Sequence, residues 1–202
     1  MQISVLTEHD KLETRVALSP DTVKKLVSNG LNVIIQSGCG QQSNYSDQQY
    51  ENAGATVTRT ISDKVLSSDI LVTVKRPDDK VLAKLSKSAI VIGQMDPYVN
   101  PAEMEEFTKY GHQLFSMELM PRITRAQSMD VLSSQSNLAG YKAVIDSTAE
   151  YKKAIPMMMT AAGTIAPAKI FICLLYSSDA ADDLLCVDLG GRRIIKKKWG
   201  GG

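Results

Sequence analysis

Residues Asp69–Val74 (DILVTV) and Ser88–Gly93 (SAIVIG) are unbroken apolar runs, and Val81–Ser86 between them has helical composition. Continuous apolar runs suit strands buried on both faces, and a helix joining two such strands makes a parallel crossover. The alternation extends outward on both sides. Upstream, Ile3–Leu6 is a short apolar run, and Ser19-Pro20-Asp21 opens a helix with an N-cap, a proline at the first position and an acid in the first turn. Asn29-Gly30 closes that helix, Asn32–Gln36 (NVIIQ) reads as a buried strand, Ser46 or Asp47 opens a helix stopping at Gly54, and Ala55–Thr58 is another strand. Downstream, His112–Met117 is a further strand, with helical segments at Ser62–Ser67 and Pro101–Tyr110. The pattern predicts an α/β fold, a flavodoxin-like doubly wound parallel sheet of five or six strands, with functional loops at the carboxyl ends of the strands.

The chain has 202 residues and a formal net charge of +1, a balance that argues for neither nucleic acid nor a membrane surface as a partner. No stretch approaches the roughly 18 apolar residues of a membrane span, and the N-terminus runs straight into a strand pattern, which reads as cytosolic. The cysteines, Cys39, Cys173 and Cys186, lack metal-ligand spacing and are odd in number, so neither a zinc site nor a disulfide framework is supported.

Polar chemistry concentrates in Pro121–Ser134, PRITRAQSMDVLSS. Ser128 is an N-cap candidate for a helix running to about Lys153 without proline. On that helix Asp130, Ser133, Asn137 and Tyr141 recur at spacings of three and four and share a face, with Gln127 just ahead. Solvated faces are usually filled with Lys and Glu; these shorter groups suit holding a ligand, and Arg122 adds a planar guanidinium. The plain alternative is a capped helix start with an Arg–Asp pair.

This segment, with SNLAGYKAVI and IPMMMTAAGTIAPAK after it, resembles the NAD-binding domain of proton-translocating nicotinamide nucleotide transhydrogenase, alpha subunit, and the resemblance runs to about Ile172. It implies that Arg122, Ile123, Gln127, Asp130 and Ser133 contact NAD(H), with Gln127 and Arg122 positioning the nicotinamide end and Asp130 and Ser133 fixing ribose or carboxamide. It further implies hydride transfer from NADH to NADP(H) on a partner domain, coupled to proton movement. The partner is the beta subunit, the domain is a homodimer, and the site is cytoplasmic and peripheral to the inner membrane through that partner. Gln127 takes the catalytic positioning role, and no metal is implied.

The domain organisation expected is a flavodoxin-like subdomain over 1–127, a long connecting helix and loop over 128–163, and the first strand of a truncated Rossmann subdomain over 164–172, centred on Ala168–Ile172 (AKIFI). In the resembled family that strand feeds a G-x-G-x-x-G turn. Here the chain continues CLLYSSDAADDLLCVDLGGRRIIKKKWGGG, without the fingerprint. Residues 173–202 closely resemble the in-frame translation of a transposase-type sequencing adapter, against the rival readings of a disordered tail or a basic membrane-associating one built on Arg192, Arg193 and Lys196 to Lys198. The fragment itself is then expected to be inactive.

Arg15 and Lys75 match a basic pair that, in the related alanine dehydrogenases, binds the substrate carboxylate; the plain reading is a surface ion pair or a charge at a strand end. The loop after SAIVIG reads GQMDPYVNP and lacks the histidine those dehydrogenases carry there. His9 and His112 lie outside any motif and read as structural. Gly38-Cys39-Gly40 lacks a third glycine and reads as turn geometry, and Met157 to Met159 read as packing. Two other functions stand beside the transhydrogenase reading: an amino-acid dehydrogenase of the alanine dehydrogenase type, and a non-enzymatic flavodoxin-like dimerisation or docking module.

Overall fold

A computed structural model of the chain describes residues 1–61, 63–99, 101–121 and 123–171. Arg122 and residues 172–202, with the expectations placed on them, lie outside the described residues. The chain divides into two units, Met1–Ala126 and Gln127–Gly202.

The first unit is a six-stranded parallel sheet: β1 (Gln2–Val5), β2 (Asn32–Gln36), β3 (Thr56–Thr58), β4 (Ile70–Val72), β5 (Ile90–Gly93) and β6 (Gln113–Ser116), in the order β3-β2-β1-β4-β5-β6. Setting aside the short edge strand β3, the order is that of a flavodoxin-like sheet, and it reverses between β1 and β4. Val5 of β1 aligns with Ile35 on one side and Val72 on the other. Val5, Ile35, Leu71 and Val91 are fully buried, as strands covered on both faces require.

Helices α1 (Pro20–Ser28), α2 (Asp47–Asn52), α3 (Asp63–Leu66), α4 (Asp79–Leu82) and α5 (Pro101–Thr108) fall between the strands. Ser19 caps α1 by accepting from the Thr22 N–H, and Gly30, at φ +82°, turns the chain out of it. Ser46 is the cap of α2: its hydroxyl accepts from Gln49 N while the Gln49 side chain accepts from Ser46 N, a reciprocal capping box. Asp78 caps α4, which therefore starts two residues earlier than the apolar run at Val81 suggests.

The core has two clusters. Val23, Tyr50 and the β1–β2 residues form one; Leu82, Leu85, Met95 and Phe107 pack with Leu71 and Val91 in the other. Tyr50 is fully buried and donates its hydroxyl to the Leu18 carbonyl at 2.8 Å, so its polar end is satisfied inside the core. His112 is structural, as expected: Nε2 lies 2.9 Å from the Leu82 carbonyl and the ring stacks on Tyr110. Gly38 takes φ +81°, while a Cβ on Gly40 would lie 2.7 Å from the Tyr50 ring, so Gly38-Cys39-Gly40 is a tight turn.

The described portion of the second unit contains α6 (Val131–Glu150) and an antiparallel hairpin of β7 (Met158–Thr160) and β8 (Gly163–Ile165). Three expectations are corrected here. The helix starts at Val131 with Asp130 as its cap, because Ser128 lies inside a 3₁₀ turn, Thr124–Met129. Residues 168–171 form no strand; Ala168 instead donates its N–H to the Ile155 carbonyl, and no neighbouring parallel strand is available to them among the described residues. Met157, Met158 and Met159 are not packed but 62%, 47% and 84% exposed, since the hairpin is the only sheet described in this unit and nothing described covers it.

Candidate functional site

Loops leaving the carboxyl ends of β1, β2 and β4 enclose a cleft of about 190 Å³ lined by Thr7, Glu8, His9, Gln36, Thr73 and Asp78, among others. It sits where the strand order reverses, the usual ligand position in open parallel sheets. Glu8 ties two of these loops together, accepting from Val74 N at 2.7 Å and Lys75 N at 3.1 Å. Burial pushes the Glu8 carboxyl above its ordinary range, against the lowering effect of those two N–H groups. His9 stands on the rim, 3.8 Å from Asp78, and not in the interior.

Arg15 and Lys75 are both paired. Arg15 grips Glu13 through Nε and Nη2, each at 2.7 Å, and Lys75 Nζ lies 2.8 Å from Asp10. The Arg15 hydrogen bond holds the Glu13 carboxyl below its ordinary range, and the Lys75 hydrogen bond does the same for Asp10. Sequence reasoning found the basic pair but missed the cleft, because its lining comes from segments far apart in the chain that only the parallel register brings together.

At the other end of the sheet, β6 leads through a 3₁₀ turn, Met117–Leu119, into the polar segment. The Glu118 carboxylate accepts from the Asp96 N–H at 3.0 Å and from the Ser116 hydroxyl at 2.5 Å, joining the loops that follow β5 and β6. Burial acts to raise its pKa, but hydrogen bonds from Ser116 and from the N–H groups of Asp96, Glu118 and Met95 outweigh that and hold it below the ordinary range. Ile123 is 51% exposed, and Ala126, buried, anchors the segment.

In the second unit Gln127 is exposed and Asp130 is drawn to Ser133, which donates its N–H to Oδ1 at 3.0 Å and its hydroxyl to Oδ2 at 2.6 Å. The structure thus brings Asp130 and Ser133 together as a helix cap that leaves both oxygens at the head of α6. Asn137 and Tyr141 follow along the same helix, both exposed. Among the described residues no group of three or more His, Cys, Asp or Glu could hold a metal ion, and no helix is long and apolar enough to cross a membrane.

A doubly wound parallel sheet with polar loops at its carboxyl edge defines an α/β domain of the nucleotide-binding type. The chain belongs to the alanine dehydrogenase/PNT N-terminal domain family, which its residues 4–139 match. It is 43% identical over 178 residues to an NAD(P) transhydrogenase subunit alpha chain of Rhodospirillum rubrum, covering 85% of this chain and 46% of that one. Against NAD(P) transhydrogenase subunit alpha of Haemophilus influenzae it is 34% identical over 172 residues, covering 85% and 33%. The solved transhydrogenase of Sinorhizobium meliloti superposes with a TM-score of 0.77 at 47% identity, over 83% of this chain and 50% of that one. A solved L-alanine dehydrogenase gives a TM-score of 0.65 at 27% identity, over 72% and 40%. The chain spans less than half the length of the curated relatives named here.

Proposed function

We propose that this chain is the leading portion of the NAD(H)-binding domain of a transhydrogenase, which passes hydride from NADH to NADP on a partner domain with coupled proton translocation. The observation that carries the reading is the 43% identity to a transhydrogenase alpha subunit across 85% of the chain. Hydride passage between two nicotinamide carbons asks little acid–base chemistry of the protein; it asks for orientation and exclusion of water. The exposed amide of Gln127 and the oxygens of Asp130 and Ser133 suit the carboxamide and ribose of a bound nicotinamide nucleotide. Arg122 and Ile123 complete the proposed contacts, with Arg122 outside the described residues.

The adenosine half is a different matter. No G-x-G-x-x-G occurs in the chain, so the pyrophosphate lacks its usual cradle of backbone N–H groups, and the fragment on its own is inactive under this reading. The similarity to three transhydrogenase relatives covers 85% of the chain in each case, which supports the view that residues 173–202 are a translated adapter. In the complete enzyme the beta subunit supplies the NADP(H) site and the membrane path, the domain is cytoplasmic and peripheral to the inner membrane, and a second copy completes a homodimer. The apolar side chains that α6 exposes, Leu138, Tyr141, Val144 and Ile145, supply surface for such an assembly.

The test is to resequence the source gene across the codon for Ile172 and to titrate NADH into the 202-residue chain by calorimetry. A reading frame continuing into a glycine-rich turn, with no micromolar binding by the short chain, is the expected result. A genuine tail after Ile172, or micromolar binding without the turn, contradicts the proposal.

A further inference from the structure

Asp96 adopts φ +49°, the left-handed region that a side chain with a Cβ enters at a cost of roughly 1–2 kcal/mol. Such conformations persist where the surroundings hold them, and they concentrate at binding sites. Two constraints act on this one. Immediately upstream, Gly93 closes β5 so tightly against β4 that a Cβ there would stand 2.7 Å from the Thr73 carbonyl oxygen. On the other side, the Asp96 N–H is fixed by Glu118, which is itself fixed by Ser116 at the end of β6. Gly93 and Ser116 are aligned partners in the β5–β6 register, so the clasp spans neighbouring strands at their common carboxyl end.

Glu118 also precedes Pro121 by three residues, within the turn that launches the polar segment. A single carboxylate therefore sets the exit of β6 and the conformation of the β5 loop, whose Tyr98 and Val99 are 79% and 76% exposed. A surface loop needs no such restraint merely to connect β5 with α5. Fixing two adjacent loops through one charged group makes them a single rigid rim at the place where parallel sheets present their ligand contacts.

We infer that Glu118 is a positioning residue for nucleotide binding: through the Asp96 N–H and the Ser116 hydroxyl it holds the β5 loop and the start of the 121–133 segment in the arrangement that NADH meets. This rests on the nucleotide reading proposed above. Glu118 touches no cofactor itself; its effect passes through backbone placement.

The experiment compares Glu118→Ala with Glu118→Gln in the full-length enzyme assembled with its partner subunit. Misplacing a contact by a fraction of an ångström costs affinity steeply, so Glu118→Ala raises the KM for NADH about tenfold while leaving the KM for NADP within about twofold. Glu118→Gln keeps an acceptor for Asp96 N and a donor for the Ser116 oxygen, and restores the NADH KM to within about threefold of wild type. Both variants are melted to check folding. A purely structural role would instead lower the melting temperature and kcat together and leave both KM values unmoved, and that outcome overturns the inference, as does equal damage from Ala and Gln. A wild-type enzyme without NADH-dependent reduction of NADP overturns the functional reading and the inference with it.

Discussion

Ser133 gives both its backbone N–H and its hydroxyl to the carboxylate of Asp130, at 3.0 and 2.6 Å, so the two residues close the first turn of α6 as one unit. The pair has a structural role whether or not a nucleotide is bound. Removing a capping carboxylate costs about 1 kcal/mol. Asp130→Ala should therefore speed amide exchange in the first turn of α6, at Ser133 above all, and leave the sheet of the first unit unchanged. Unaltered exchange at Ser133 would show that the cap contributes nothing.

Gln127 has no comparable task in the fold, being exposed near the end of a 3₁₀ turn. Its replacement isolates function from stability. In the full-length enzyme Gln127→Ala should slow hydride transfer more than it weakens NADH binding, with an unchanged melting curve. A loss confined to binding would assign it to affinity alone.

Asp96 and Gly93 lie close together in the chain and call for opposite substitutions. Asp96→Gly relieves a left-handed backbone and should raise stability by up to about 1 kcal/mol, read from a urea midpoint. Gly93→Ala would push a Cβ to 2.7 Å from the Thr73 carbonyl, backbone that cannot swing away, and should cost at least about 1–3 kcal/mol. If both variants shift the midpoint in the same direction, the conformations assigned to this loop are wrong.

Acid sensitivity follows from carboxylates held below their ordinary range. Asp47 accepts from the Gly38 N–H at 2.8 Å and the Ser37 hydroxyl at 2.6 Å, and these bonds depress its pKa, in that order of importance. A depressed folded-state pKa gives stability that is present above the unfolded value, about 4, and is lost as pH falls through the folded one. Glu8 works in the opposite sense: raised by burial, it costs stability at neutral pH and gives that cost back on acidification. Urea midpoints from about pH 6 to about pH 3 should fall for wild type. Asp47→Asn should start lower and fall less. Parallel curves would mean that Asp47 keeps its ordinary pKa in the fold.

Much of this architecture is legible in the sequence where local chemistry and burial agree. Ser19-Pro20-Asp21 marks the start of α1, and the apolar run of β2 is found at its full length. The start of α6 is harder because Ser128 and Asp130 are both capping residue types, and only Asp130 is followed directly by two apolar residues, Val131 and Leu132. The β7–β8 hairpin turns through Ala161 and Ala162 with Gly163 at φ +130°, without the Asn-Gly or Asp-Gly signal that marks tight hairpins. The rim clasp could not be read from sequence at all, since Asp96 and Glu118 are made neighbours by strand register. The roles of Ile123, Gln127, Asp130 and Ser133 were legible only through family resemblance; spacing by itself describes a capped helix.

Helix α6 buries none of its twenty side chains. Its amino-acid choices are therefore not dictated by the packing of the described chain, beyond helix propensity and the cap at its head. A saturation-mutagenesis scan across Val131–Glu150 would consequently act as an imprint of whatever molecule lies against the helix in the cell. Positions intolerant of change would trace that molecule's footprint, and a uniformly permissive scan would mark the helix as a bare strut.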